Sequence, residues 1–486
     1  MADKQLAKAI KELSADLKSN KYVTGEMQFT DVTNSMYFLK AFGNRLRYCK
    51  MWNKFLVWNG TCWEIDNRGT VDEWVLEFIH SMYRGLRFIK DQRLAESFEK
   101  HLIKSESYRN LQSLLGVCQM SKEIKVSDTE LDTFDYLFNT KNSTINLLNG
   151  KSKECDIKDL STKCSNFIFD PEAECPTWNS FLLQIFNNDL ELIHFIQKAM
   201  GYTLSGDISE QCLFILWGTG ANGKSTFLNV LQELFGDYGC SAATDTFMKR
   251  TTEQSNDIAR LRGMRLVTTS EAEQGKEISE SLIKQITGED VLTARFLYGE
   301  YFSFKPTFKI FMATNHKPRI KGADEGIWRR IKLIPFNVTI PSEQRDKKLT
   351  KKLISENSGI FNWLLEGFNM WKKEGLNEPE AVKEANDEFR YDMDPVGCFV
   401  NEVLNISDNG EWRLTNKSLY DVYLKWCNKN NERSMSQRGL AMRLQCFCGR
   451  NPCSVCAICP TQADKLWKGK IKIHLFLPDN RYIIRL

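Results

Sequence analysis

Gly218 to Ser225 read GTGANGKS, set between an apolar run, CLFILW (Cys212 to Trp217), and a segment, TFLNVLQELF, whose apolar residues recur at helical spacing. The order strand, GxxxxGKS loop, helix is the one a phosphate-binding loop requires. Gly218, Gly220 and Gly223 let the backbone turn tightly and aim amide N–H groups at phosphate oxygens, and the helix that follows adds its positive N-terminal end. Lys224 is expected to reach the β- and γ-phosphates of ATP, and the Ser225 hydroxyl to help hold Mg²⁺. The phosphate cradle then runs through Gly218, Thr219, Gly220, Ala221, Asn222, Gly223, Lys224, Ser225 and Thr226. A chance glycine-rich turn is the alternative, and the strand and helix on either side argue against it.

Hydrolysis also needs acids to hold the metal and activate water. They are expected after a second apolar strand, in Arg265 to Gly275 (RLVTTSEAEQG), where Glu271 lies immediately beyond the strand and Glu273 two residues on. Glu271 is the candidate second Mg²⁺ ligand, and which acid activates water stays open. Taken alone, SEAE reads equally as a helix N-cap with exposed acids. A third strand, Phe308 to Thr314, ends in Asn315, a neutral polar group suited to sensing the γ-phosphate or orienting water. Trp328-Arg329-Arg330 then precede IKLIPF, so a cation pair stands at a strand entrance, where it could meet phosphate bound to a neighbouring subunit.

These residues need a scaffold. Between Cys212 and Phe336 apolar strands alternate with amphipathic helices, which predicts an α/β fold with a parallel sheet covered on both faces. Four regions are expected in the 486 residues: a mostly helical domain over 1–205, the core over 206–340, a helical extension over 341–390, and a small basic domain over 391–486. The first includes a hairpin-like patch from Lys54 to Asp66. The last has helices near Asn416 to Asn428 and Ser436 to Leu444 and a strand-rich end.

The apolar stretches are too short to span a bilayer and the N-terminus is charged throughout, so neither secretion nor membrane insertion is indicated and the (host) cytoplasm is expected. Net charge is +4, yet residues 411–486 alone carry +9, which leaves −5 for the rest and suits a polyanion partner at the C-terminal end.

GTGANGKS, RLVTTSEAEQG, KQITGEDVLTARFLYGEYFSFKPTFKIFMATNHKPRI and DEGIWRRIKLIPF, in this order, resemble superfamily 3 DNA helicases of the phage, plasmid and poxvirus primase-helicase family. GTCWEID, INLLNGK and FDPEAECPTWNSFL are similar to the helical domain that precedes the motor in that family, and YDVYLKWCNKNNERSMSQRGLAMRL to its winged-helix tail. The resemblance implies an AAA+ type core and a homo-oligomeric ring, a hexamer, in which ATP hydrolysis drives movement along single-stranded DNA. By position it implies Lys224, Glu271, Glu273 and Asn315 as catalytic residues and Arg330 as an arginine finger acting between subunits. It places a DNA-gripping hairpin between Thr293 and Phe308, with Arg295, Tyr298 and Lys305 as contacts, and Arg438 and Arg443 of the winged helix as contacts to origin DNA. The family's acids are adjacent in other branches, whereas Ala272 separates them here. Only about fifty residues precede the matched region, too few for a polymerase domain, so no primer synthesis is expected and a separate primase or polymerase is an expected partner.

Cys446, Cys448, Cys453, Cys456 and Cys459 could offer four thiolates to Zn²⁺, or form a cysteine-rich surface loop. Two rival functions share parts of this pattern. An NTP-dependent switch or small-molecule kinase needs the loop but not the arginine pair, hairpin or basic tail. A non-enzymatic origin-binding initiator needs only the tail.

Overall fold

The computed structural model describes residues 2–19, 21–22, 24–25, 27–250, 255–269, 275–297, 299–320, 325–406, 416–430, 432–448, 473–475 and 482–484. In the first region, α1 (Ala2–Lys18), α2 (Asp31–Phe42), α3 (Thr70–Met82), α4 (Gln92–Ser105) and α5 (Tyr108–Cys118) bury one core around Phe38, Phe42, Phe78 and Phe98. A sheet ordered β3-β2-β1-β4 lies beside them, built from β1 (Leu46–Cys49), β2 (Lys54–Trp58), β3 (Trp63–Ile65) and β4 (Lys125–Val126). The hairpin expected at Lys54 to Asp66 forms from β2 and β3, with Trp58 opposite Trp63. Its turn is tied by Asn59, whose Oδ1 accepts from the amides of Thr61 (2.8 Å) and Cys62 (2.9 Å).

A small antiparallel sheet follows, of β5 (Leu137–Asn139), β6 (Thr144–Asn146) and β7 (Lys151–Lys153), then α6 (Pro176–Ile185) and α7 (Leu190–Leu204). The central layer contains β8 (Leu213–Trp217), α8 (Lys224–Phe235), β9 (Gly239–Ala242), α9 (Ser255–Ala259), β10 (Leu266–Thr269), α10 (Glu280–Thr287), β11 (Leu292–Ala294), β12 (Phe302–Phe304), β13 (Lys309–Thr314), α11 (Glu325–Trp328) and β14 (Ile331–Pro335). Five of these strands form a sheet ordered β14-β8-β13-β10-β9 in which every pairing is parallel. The crossovers put helices on both faces, so the strands must be apolar on both sides. Accordingly Phe214 and Leu216 of β8 join one core and Leu213 and Ile215 the other, the period-2 alternation of a strand.

The chain closes with α12 (Leu349–Ser355), α13 (Asn357–Glu374), α14 (Glu380–Asp392), α15 (Pro395–Val403), β15 (Leu404–Ile406), α16 (Asn416–Lys429), α17 (Gln437–Cys448), β16 (Ile473–Leu475) and β17 (Tyr482–Ile484). The C-terminal helices enclose a core of their own around Phe399, Tyr423 and Trp426, and the last strands form a sheet ordered β15-β17-β16.

The cores do not divide at the boundaries expected from sequence. Residues 137–204, assigned with the first region, share one core with β8, α8 and α13: Trp178 stacks on Phe227 at 5.5 Å and Phe138 on Tyr238 at 4.4 Å. The helical extension is likewise part of that core. Helices α7 and α13 cross in backbone contact, because Gly201 faces Gly367 and Phe368, and a Cβ at either glycine would strike main-chain atoms of the other helix.

Two buried cations lock the start of the parallel strands to this region. The Arg265 guanidinium donates to the carbonyls of Phe134 (3.1 Å), Leu204 (3.1 Å) and Asp135, and the Lys309 ammonium donates to Ser205 O at 2.6 Å while lying 4.2 Å from the Tyr202 ring. Burial, aided by the Arg265 charge, holds the Lys309 pKa well below the ordinary lysine range. Between that depressed value and the ordinary one the unfolded chain binds more protons than the folded one, so stability rises with pH there and is lost as pH falls through the window. The thermal midpoint of the wild-type protein should therefore climb between pH 7 and pH 10 relative to Lys309→Met, by at most about 1.4 kcal/mol of stability per pH unit. Parallel pH profiles in the two proteins would contradict this.

Candidate functional site: a glycine-rich loop at the carboxyl edge of the sheet

Strand β8 ends at Trp217 and α8 begins at Lys224, leaving the loop to turn within six residues. Gly220 (φ +108°) and Gly223 (φ +86°) take backbone conformations that L side chains rarely adopt, and Ala221 (φ +51°) is drawn into the same region between them. The loop is also confined sterically. A Cβ at Gly218 would strike the Asn222 amide and the Phe336 carbonyl, and one at Gly223 would lie 2.6 Å from Ile185 Cγ2 on α6. Two flanking hydrogen bonds hold it, from Phe336 N to Trp217 O (2.7 Å) and from Ile340 N to Ala221 O (2.8 Å).

Lys224 is 4% exposed, and its ammonium donates to Gly218 O (2.6 Å), Asn222 Oδ1 (3.1 Å) and Asn315 Oδ1 (3.1 Å). Asn222 is buried too, and its Nδ2 donates to Phe336 O at 3.2 Å. Two residues expected from sequence to act together, Lys224 and Asn315, are thus brought together across 91 positions, because β8 and β13 are adjacent parallel strands. Thr219, Ala221 and Ser225 are exposed, and Gly220 and Thr226 are half-buried. The donor set suits a triphosphate: a tight backbone loop at the start of α8, one ammonium held by neutral oxygens, and an exposed hydroxyl on the first helical turn. Ser225 would supply a hard oxygen ligand to Mg²⁺, which when bound neutralises charge on the β- and γ-phosphates.

Strand β10 points its carboxyl end to the same edge, with Thr269 beside Met312 of β13. Glu271 and Glu273, which follow it, lie outside the described residues. The Thr269 hydroxyl is buried there with no partner among the described residues.

The arginine pair separates in a way the sequence does not reveal. Arg330, expected as the finger, is 8% exposed and turned into its own chain: Nε donates to Thr287 Oγ1 (3.1 Å), one terminal nitrogen to Gly326 O (2.6 Å) and the other to Gln211 Oε1 (3.1 Å). Arg329 is exposed, with one long contact to Gln211 Oε1 at 3.4 Å. A guanidinium saturated inside its own fold cannot also reach a neighbour without giving up those bonds. Gln211, which precedes the loop-bearing strand and holds both arginines, was not singled out in the sequence.

Strands β11 and β12 pair antiparallel, Leu292 with Phe304 and Ala294 with Phe302, so the expected hairpin exists. Arg295 lies 4.8 Å from the Tyr301 ring and Lys305 is exposed at the base, while Tyr298 lies outside the described residues. Sequence reading missed the apolar tip: Phe296 is 48% exposed, Leu297 71% and Tyr301 60%. The density of aromatics beside Arg295 in ARFLYGEYFSF was the available signal. Arg438 is exposed on α17, whereas Arg443 on the same helix faces Asp394 at 3.4 Å. Cys446 and Cys448 fall on the last turn of α17, their side chains outside the described residues together with Cys453, Cys456 and Cys459.

Sheet and loop together define a mixed α/β protein whose conspicuous polar residues gather at the carboxyl edge of a parallel sheet. Comparison with known proteins is specific. Residues 35–187 match the family described as D5 N terminal like, residues 216–330 a family of unknown function, and residues 391–448 the family described as Poxvirus D5 protein-like. "Putative helicase L207/L206" of Acanthamoeba polyphaga mimivirus is 29% identical over 324 residues, which is 62% of this chain and 34% of that one. "Putative helicase V13" of Sputnik virophage is 23% identical over 397 residues, 74% of this chain and 49% of its own. The matched stretch therefore spans between a third and a half of these relatives. Among solved structures, the apo C-terminal region of NrS-1 aligns over 76% of this chain and 80% of its own, with a TM-score of 0.46 and 10% identity. The chain thus carries stretches similar to the D5 N terminal like and Poxvirus D5 protein-like families and to viral proteins named putative helicases, in agreement with the resemblance its motifs imply. No helix among the described residues is long and apolar enough to cross a membrane.

Proposed function

We propose that this chain is an ATP-driven DNA helicase of AAA+ type, acting in viral or mobile-element replication as a homo-oligomeric ring on single-stranded DNA. The observation that carries the reading is the buried Lys224 ammonium at the end of a sterically forced glycine loop, within hydrogen-bond distance of Asn222 and Asn315 at the carboxyl edge of the parallel sheet. In this reading the loop amides and Lys224 bind the ATP phosphates, Ser225 and Glu271 hold Mg²⁺, Glu271 or Glu273 takes a proton from the attacking water, and Asn315 orients that water or the γ-phosphate. Arg329, with its exposed guanidinium, reaches ATP on the adjacent subunit, and Arg330 positions it by anchoring the turn through Thr287, Gly326 and Gln211.

The hairpin supports a DNA-acting motor over a nucleotide switch, since an exposed aromatic tip beside Arg295 and Lys305 offers stacking faces and cations to a single strand. Helices α16 and α17 ahead of the β16–β17 pair support a winged-helix-like reading of the basic end, with the exposed Arg438 facing origin DNA. Steady-state ATP hydrolysis with and without oligo-dT tests the proposal: turnover should rise on adding the oligonucleotide, and turnover indifferent to DNA would favour the switch reading. Arg295→Ala/Lys305→Ala should lose that stimulation while hydrolysing ATP without DNA as the parent does. Full stimulation in the double variant would place the grip elsewhere.

A further inference from the structure

The turn that follows β13, Asn315 to Pro318, is held at both ends. At its start the buried Thr314 hydroxyl donates to His316 O (2.6 Å) and accepts from His316 N (3.1 Å), and Gly218 N donates to Thr314 O at 3.3 Å. At its end Pro318 restricts Lys317 to extended conformations, and Arg319 pairs its amide with Lys276 O (2.9 Å) and its carbonyl with Ile278 N (3.0 Å). Asn315, whose side chain reaches Lys224, lies between these anchors.

Lys317 carries the second anchor further. Its side chain is 10% exposed, and its ammonium donates to Glu388 Oε1 (3.2 Å) and Asp392 Oδ2 (2.8 Å) while lying 4.7 Å from the Trp217 ring. Glu388 and Asp392 stand one turn apart on α14, where like charges repel unless a cation lies between them. Trp217 ends β8 immediately before Gly218 and pairs with Thr314 across the sheet. One ammonium thus joins the base of the phosphate loop, the turn bearing Asn315, and α14. That helix is fixed in turn: Leu333 N donates to Asn386 Oδ1 (2.9 Å), Arg390 pairs with Glu325 (2.6 Å), and Phe389 packs edge-on against Trp328 at 5.4 Å. Ion pairs whose carboxylates are 63% and 42% exposed add little to stability. Their placement, beside the turn that presents Asn315, serves position instead.

We infer that Lys317 is a positioning residue of the ATP site: by clamping the Asn315–Pro318 turn to α14 and to the Trp217 ring, it holds Asn315 against Lys224. It touches no phosphate itself, because its ammonium is committed to Glu388 and Asp392. The inference rests on the ATP-hydrolysing reading above and extends it to a side chain which that reading leaves without a task. With the clamp released, ATP still binds through the loop amides and Lys224, whereas the alignment of water or γ-phosphate by Asn315 is lost in the transition state. The loss therefore falls on kcat and not on KM.

Steady-state ATP hydrolysis by the full chain, with binding of a fluorescent ATP analogue and a thermal melt alongside, tests it. Lys317→Met keeps the aliphatic stem and removes the charge, and should lower kcat by up to about 10²-fold while KM and the Kd of the analogue stay near those of the parent. Lys317→Arg, which can keep both ion pairs and the ring contact, should recover most of the loss. Lys317→Met/Asn315→Ala should be no slower than Asn315→Ala alone, because a residue that acts through Asn315 then has nothing left to position. A clamp that merely stabilised the fold would lower the midpoint and leave kcat in place, and two independent contributions would multiply in the double variant. Either result overturns the inference, as does parent-like turnover in Asn315→Ala. A parent that hydrolyses no ATP would instead remove the reading beneath it, and the inference with it.

Discussion

Lys224→Ala loses ATP hydrolysis by about 10²–10³-fold or more, with the fold intact and the thermal midpoint lowered by several degrees. The magnitude follows from taking one preorganised cation away from phosphate charge in a site shielded from water, where its contribution to transition-state stabilisation is largest. The fold survives because loop geometry is set independently by positive φ at Gly220 and Gly223 and by the Phe336 and Ile340 amides. The midpoint falls because Gly218 O, Asn222 Oδ1 and Asn315 Oδ1 lose their buried donor. Phosphate release, measured beside a thermal melt, checks both halves. Turnover like that of the parent would sink the assignment of the loop to ATP.

Arg329→Ala should be nearly as severe, and in a different way. A guanidinium that meets transition-state phosphate oxygens from outside contributes about 10³–10⁵ in rate in NTPases. Arg329→Ala should bind nucleotide, assemble and keep its thermal midpoint, because the side chain is exposed and its one hydrogen bond is long. Arg330→Ala should lower the midpoint by several degrees as well as the rate, because it leaves Thr287, Gly326 and Gln211 without their buried donor. Mixing separates a contact between subunits from one within them. Rings combining Arg329→Ala with Lys224→Ala chains contain some interfaces that join an intact loop to an intact Arg329, so part of the activity should return. No recovery in verified mixed rings, or full activity of Arg329→Ala alone, would reduce Arg329 to a surface charge of little energetic consequence.

What could be read from the sequence was what is local in it. Strand, glycine loop and helix are contiguous, so Gly218 to Ser225 announced their own geometry, and the hairpin at Lys54 to Asp66 did the same through its NG turn and flanking aromatics. Asn315 could be placed because a strand end is a local feature, and the parallel pairing of β13 with β8 then delivers it to Lys224. The resemblance implies Arg330 as the finger, but nothing local shows which of Arg329 and Arg330 turns inward, because the two are adjacent and identical in type. Which of them turns inward depends on Thr287 and Gln211, 43 and 119 positions away from Arg330. The limits of the cores were hidden for a similar reason: α6 and α7 carry the same amphipathic pattern whichever core they join, and only the contacts of Trp178 with Phe227 and of Gly201 with Gly367 decide it.

Displacement of the labelled strand of a forked duplex is the most direct measurement of the central claim that the loop, the arginine pair and the hairpin form one DNA motor. With ATP and Mg²⁺ the chain should separate the strands, and with a non-hydrolysable ATP analogue, or with Lys224→Ala or Arg329→Ala, it should not. Brisk ATP hydrolysis that leaves the fork intact at every protein concentration would contradict the account.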